Sequence, residues 1–288
     1  MSAEDSNSRE VGFSEALEAT LPILLRMKKT LRSQPKATKA SLERLSAISA
    51  PEQTLKSIAQ KAPPMSPTKA ASQPPAGQTD DRRLAKLDEL RKNILSCTRC
   101  PNLVASRTQV VYGVGNPFAE LLFVGEAPGE EEDLRGEPFI GKAGQLLTKI
   151  IGAMEYTREE IFIANVLKCR PDMPAGESGN RKPKPAEMAT CLPWLTQQIE
   201  LIRPKVIVAL GLTAVEGLLG EPKTMRDVRG KWLDYHGVPL MPTYHPAYLL
   251  RNQTLAEKRK VWEDMLLVLG KLGRPISEKQ RGYFLEKA

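Results

Sequence analysis

The chain has 288 residues, of which 41% are hydrophobic and only 5% aromatic, and its net charge is +8. That length accommodates one or two domains with an ample core, while no apolar run approaches the roughly 18 residues of a membrane-spanning helix. Four cysteines are too few for a disulfide-stapled secreted scaffold, and the acidic N-terminus (Glu4, Asp5, Glu10) lacks a basic-then-apolar signal pattern, so a cytoplasmic protein is expected. The basic excess favours a polyanionic partner, with nucleic acid the first candidate.

Residues 1–80 divide in two. Phe13, Leu17, Leu21, Leu24 and Leu25 recur at helical spacing, which predicts one amphipathic helix over 13–33, a face open to an unidentified protein partner. Beyond it, no aromatic residue occurs through Asp80, and five prolines fall between Lys61 and Asp80. Such a segment has too little apolar surface to offset its ordering entropy and reads as a disordered linker.

From Asp81 the pattern becomes that of a folded domain. Leu84, Leu87, Leu90 and Ile94 line one face of a helix that runs into Cys97. Leu121 to Val124 is a buried-strand run ending at Gly125, and a helix follows over Ala143–Met154. Ile161 to Val166 is a second strand. Pro185 opens a long helix to about Ile202, at the first-turn position where its missing N–H costs nothing. Val206 to Leu210 is a third strand, closed by Gly211 and followed by a helix through Leu219. A shorter strand over Pro239–Thr243 leads to His245, and Thr254 with Glu257 caps a last helix to about Leu269. Alternating strands and helices imply an α/β sandwich around a mostly parallel four-stranded sheet over 81–272, with 273–288 as a C-terminal tail. Ligands of such sheets sit beyond the carboxyl ends of the strands. Three ends here are polar or glycine-rich: Gly125 to Gly129, Asn165, and His245-Pro246.

The cysteines are spaced as Cys97-x-x-Cys100 with Cys169 and Cys191 far downstream, and the only histidines are His236 and His245. Four thiolates without a nearby histidine suit tetrahedral zinc or an iron–sulfur cluster, and the distant second pair favours a [4Fe–4S] cluster. A redox Cys-x-x-Cys with two unrelated buried thiols is the alternative.

The motifs Gly125-Glu-Ala-Pro-Gly-Glu-Glu-Glu-Asp133, Gly136-Glu-Pro-Phe-Ile-Gly-Lys-Ala-Gly-Gln-Leu-Leu147, Asn165-Val-Leu-Lys-Cys-Arg-Pro171, Asn180-Arg181 and His245-Pro-Ala-Tyr-Leu-Leu-Arg-Asn252 occur in that order. Together they closely resemble the family 4 uracil-DNA glycosylases, over roughly residues 83–270. The resemblance implies a three-layer α/β/α fold, a monomer, and one [4Fe–4S] cluster on Cys97, Cys100, Cys169 and Cys191. It implies action on uracil-containing DNA, single- or double-stranded. Asn165 would read the uracil edge, accepting from N3–H and donating to O4, which cytosine cannot match. Phe139 would stack on the base, and Glu126 with the amides of Gly125 to Ala127 would line its O2 side. His245 would donate to O2 as the bond breaks. Asn180 would position water and Glu132 would block C5. Where a better-known branch of the superfamily has Asp and Tyr, this chain has Ala127 and Gly129. Leu250 and Arg251 would enter the duplex, and Arg135, Lys142, Lys168, Arg170, Arg181, Lys182 and Lys184 would track phosphates. Two other classes compete: a binding protein of the same fold without turnover, and an electron carrier built on the cluster. The absence of any histidine before His236 argues against covalent trapping of DNA.

Overall fold

A computed structural model describes residues 76–174, 176–177, 179–220 and 224–285. The predicted helix at 13–33 and its linker lie outside the described residues.

The order along the chain is α1 (Ala76–Leu95), α2 (Pro101–Ser106), β1 (Val114–Gly115), β2 (Leu121–Gly125), α3 (Glu130–Arg135), α4 (Lys142–Ala153) and β3 (Phe162–Asn165). It continues with α5 (Pro185–Ile202), β4 (Val206–Leu210), α6 (Leu212–Leu219), α7 (Met225–Val228), β5 (Leu233–Tyr235) and β6 (Val238–Thr243). Helices α8 (Pro246–Arg251), α9 (Leu255–Lys271) and α10 (Glu278–Arg281) complete it. The strands form one sheet in the order β1-β3-β2-β4-β6-β5. Its four central strands are parallel, as the sequence predicts.

Among the described residues the sheet has six strands, not four. The extra two, β1 and β5, are antiparallel edges of two and three residues. Neither carries the continuous apolar run that marks a strand covered on both faces, so periodicity passes over them.

Side-chain alternation along each central strand feeds two cores. Leu122, Val124, Ile207 and Ala209 face one way, against Leu195, Ile199 and Ile202 of α5 and Val215 and Leu218 of α6. Leu121, Phe123, Val206 and Val208 face the other, against Leu147 and Ile151 of α4 and Trp262, Met265 and Val268 of α9. This is the three-layer sandwich. A third cluster, with Leu90, Ile94, Leu103 and Leu167, surrounds the cysteines.

The segment set apart as a C-terminal tail folds back on this frame. Ser277 caps α10, Gln280 is buried, and its side-chain amide donates to Ala153 O at 3.0 Å. Trp262 Nε1 donates to Gln280 O at 2.6 Å. These are polar anchors, which a hydrophobic pattern does not reveal.

Candidate active site and cysteine nest

The parallel register places Gly125 directly opposite Asn165 at the carboxyl ends of β2 and β3. A Cβ on Gly125 would stand 2.4 Å from Asn165 Oδ1 and 2.5 Å from Phe139 Cζ. Glycine therefore creates the opening between the amide and the ring. Asn165 is 2% exposed, yet among the described residues its Oδ1 has no hydrogen-bond partner. Buried polar atoms are nearly always satisfied, and an orphan of this kind marks a place for a ligand's donor.

Phe139 holds a left-handed backbone at φ 54°, a region costly for a non-glycine residue. Its surroundings enforce it. Arg158 donates to Phe139 O at 3.1 Å and Pro138 O at 2.9 Å. Glu132 Oε1 accepts from the Ile140 and Gly141 amides, both at 3.0 Å, while its Oε2 accepts from Gly129 N at 3.1 Å. Gly144 lets the first turn of α4 pass the Phe139 backbone, since a Cβ there would lie 1.9 Å from Phe139 C.

His245 follows β6 and caps α8. Its Nδ1 accepts from Ala247 N at 3.1 Å, so the neutral ring carries its proton on Nε2. Burial, with the Arg251 charge nearby, holds its pKa down at about 4. The ring centre lies 5.6 Å from that of Phe139, at 34°. Gly211, with φ 90°, ends β4 without a side chain, and a Cβ there would approach His245 Cβ to 3.0 Å. Asn165, Phe139 and His245 thus converge on one opening, and the last of them is a neutral N–H donor.

Glu126 continues β2, its peptide oxygen accepting from Leu167 N at 3.0 Å. Burial raises the pKa of its carboxyl, against a Thr213 hydrogen bond and the Lys182 charge, which lower it. These neighbours set the carboxyl toward α6. Ala127 packs against the cluster that contains the cysteines. Asn180 is exposed, with Nδ2 3.2 Å from the Cβ position of Gly129, which brings it to the same loop.

Cys97, Cys100, Cys169 and Cys191 line one small cavity with Ile94, Leu103 and Trp194. Three of the sulfurs face N–H donors. Arg107 Nη1 donates to Cys169 Sγ at 2.9 Å, the Lys168 amide to Cys191 Sγ at 3.2 Å, and Trp194 Nε1 to Cys97 Sγ at 3.4 Å. Burial pushes the Cys191 thiol up to about 11, and burial with the neighbouring sulfurs raises that of Cys100. Thiolates are costly in such a nest unless a positive group joins them. Among the described residues, no group of three or more His, Cys, Asp or Glu is arranged to hold one metal ion.

Comparison with known proteins settles the family. The model of the uracil DNA glycosylase superfamily matches residues 112–266. A type-4 uracil-DNA glycosylase of Thermotoga maritima is 44% identical over 181 residues, covering 62% of this chain and 91% of the relative. One of Archaeoglobus fulgidus is 42% identical, covering 61% and 88%. A type-5 enzyme of Pyrobaculum aerophilum is 28% identical, covering 59% and 89%.

The chain belongs to the type-4 uracil-DNA glycosylases.

In this type-4 chain several side chains expected at DNA are engaged within the protein. Lys168 is fully buried, its ammonium donating to Gln198 Oε1 at 2.5 Å. Arg181 donates to both oxygens of Glu187, at 2.9 and 2.7 Å, and pairs with Asp172. Lys182 pairs with Glu216 at 2.7 Å, and Arg170 donates to Gly179 O at 2.9 Å. Arg135, Lys142 and Lys184 are exposed. Glu132, expected at uracil C5, has both carboxylate oxygens accepting from backbone amides. Leu250 and Arg251, expected to enter the duplex, are exposed on a helical turn that Pro246 opens. No motif or periodicity in the sequence marks Arg107, Arg158 or Glu187, whose contacts with Cys169, with Phe139 and with Arg181 appear only in the fold.

Arg181 and Arg251 should separate cleanly. Glu187 is buried and would lose its Arg181 donors while keeping Asn102 Nδ2 at 3.0 Å and Lys184 N at 2.8 Å, a loss of about 1–3 kcal/mol. Arg181→Ala should therefore lower the thermal midpoint while leaving the salt dependence of DNA binding unchanged. Arg251→Ala should do the reverse, reducing the slope of log Kd against log salt by about 0.7–0.9. Thermal melts and a salt titration of each variant check this.

Proposed function

We propose that the chain is a uracil-DNA glycosylase, which extrudes uracil from DNA and hydrolyses its N-glycosidic bond to leave an abasic site for base-excision repair. The observation that carries this reading is the orphaned Asn165 Oδ1, beside Phe139 and His245 at the opening kept by Gly125. Uracil N3–H donates to that oxygen and O4 accepts from the same amide, an edge cytosine does not present. The base lies against Phe139. His245 Nε2–H meets O2, where negative charge grows as the C1′–N1 bond breaks and its electron pair leaves with the base. A preorganised donor at developing charge is usually the largest catalytic contribution. A water oxygen then adds to C1′ and its proton passes to bulk solvent, while the departing uracil carries the bond's electron pair as an anion and is later protonated by solvent. Asn180, a neutral amide, orients that water but is a poor base, so bond breaking runs well ahead of attack. Glu126 borders the pocket from the α6 side.

The four cysteines suit one [4Fe–4S] cluster. Three sulfurs already face N–H donors, and the Arg107 guanidinium on Cys169 supplies positive charge beside them. When bound, the cluster supplies a covalent cross-link between the end of α1, the segment after β3 and the middle of α5. Chain-wise, Cys169 stands four residues beyond Asn165, so that cross-link steadies the base-reading strand end.

The test is excision from a labelled oligonucleotide with one deoxyuridine, read by alkali cleavage, alongside the iron and sulfide content of the protein. Multiple turnovers by the wild type, sharply slowed in Asn165→Ala, are expected. Cys191→Ser should lose iron and thermal stability together. Tight binding of uracil-DNA without cleavage would replace the enzyme with a binding protein of the same fold.

A further inference from the structure

We infer that the cleft beside Leu250 is a second nucleobase site, holding an unstacked base of the same DNA near the extruded uracil; the inference rests on the uracil-DNA reading above. The cleft encloses about 350 Å³ between α4 and α9. Leu146 and Ile150 of α4 line it, with Leu250 and Phe284 beside them. Lys149 and Lys258 line it as well, and among the described residues neither has an acidic partner within ion-pair distance. Apolar walls with two free ammonium groups match a flat base joined to phosphates, since single-strand sites combine a stacking surface with cations along the backbone.

The cleft is also at the right place. Helix α8 is capped by His245 and ends at Leu250 and Arg251. Its six residues span about 9 Å at 1.5 Å per residue. A DNA strand advances about 3.4 Å per nucleotide when stacked and further when unstacked, so a strand lying along α8 would bring a base one to three positions from the uracil to the cleft.

Phe284 supplies the stacking face. It is 39% exposed, while its neighbour Tyr283 packs on Trp262 with ring centres 5.2 Å apart. Its φ of 58° repeats the left-handed backbone of Phe139. Phe284 lies beyond residue 266, where the match to the superfamily model ends, so this wall is no part of the matched region.

The test uses single-stranded oligonucleotides with one deoxyuridine, in which each flanking nucleotide in turn is replaced by an abasic residue. Both KM and Kd by fluorescence anisotropy are measured. For the wild type, removing the base at one or two positions on one side should raise KM and Kd about tenfold, with the loss falling on KM rather than kcat. Phe284→Ala, and Phe284→Leu as a variant that keeps apolar packing, should bind the intact oligonucleotide as weakly as the wild type binds the abasic one. In both variants the abasic replacement should add nothing further. Lys149→Gln combined with Lys258→Gln should reduce the salt slope by about 1.4, at about 0.7 per phosphate contact on a single strand. Equal Kd at every abasic position, or a positional effect that survives Phe284→Ala, would overturn the second site. Binding without excision would overturn only the enzyme reading, and the Kd pattern would still decide the cleft.

Discussion

Replacing His245 by alanine is expected to lower the single-turnover rate of uracil excision by about 10²–10³-fold, the usual cost of one preorganised donor to a developing oxyanion. The donor is a neutral imidazole: Ala247 N occupies Nδ1 at 3.1 Å, leaving the proton on Nε2, and burial keeps the pKa at about 4. The excision rate should accordingly show no inflection from this residue between pH 5.5 and 8. Stability has a different signature. The unfolded chain takes up the proton near the ordinary value of 6.5, the folded one only near 4. The protein therefore loses stability as pH falls from 6.5 toward 4, and this contribution is constant above that window. His245→Ala should flatten that part of the curve. Single-turnover rates and thermal midpoints across the pH range measure both, and a rate loss under tenfold would remove His245 from the chemistry.

Gly125→Ala should be as damaging although it removes no functional group. The added methyl would stand 2.4 Å from Asn165 Oδ1 and 2.5 Å from Phe139 Cζ, in the opening the base must enter. Neither neighbour can retreat cheaply. Asn165 sits at a strand end, and Phe139 is held by Arg158 and by the loop amides on Glu132. A misplacement of about 1 Å costs on the order of 10²-fold in rate, so excision should fall at least that far. The φ of Gly125 is not in the glycine-only region, so the protein should still fold. Excision rate and far-ultraviolet circular dichroism of the variant check the two halves of this expectation. A normal rate would show that the base enters elsewhere.

The parts legible in the sequence are those set by local pattern. β2, β3 and β4 are apolar on both faces because helices cover both, so each appears as an unbroken run ending in Gly125, Asn165 or Leu210. Gly125, Phe139, Asn165 and His245, which the structure brings to one opening, all stand in the motifs that carry the resemblance. What escaped depends on partners distant in sequence or on polar contacts. β1 and β5 exist only through pairing with β3 and β6. Lys168 and Arg181 read as surface cations because the burial of one and the Glu187 partner of the other appear only in the fold. Glu132 illustrates the same limit from the acidic side: its motif position suggested a contact with the base, but its oxygens hold the loop that carries Phe139. The C-terminal segment docks through Gln280, a polar residue that no hydrophobic period marks.

Asn165 Oδ1 has one more consequence, which concerns how such a protein evolves. A buried acceptor left without a donor costs roughly 1–3 kcal/mol, against a total stability of only about 5–15 kcal/mol for a typical domain. On the reading of Asn165 as the base-reading residue, an unsatisfied acceptor there would cost stability at the very atom proposed to discriminate between bases. An apolar residue at 165 would suit the folded state better and the genome worse. Selection for robustness and selection for fidelity therefore oppose each other at this position, and any gain in heat tolerance has to be made elsewhere in the chain.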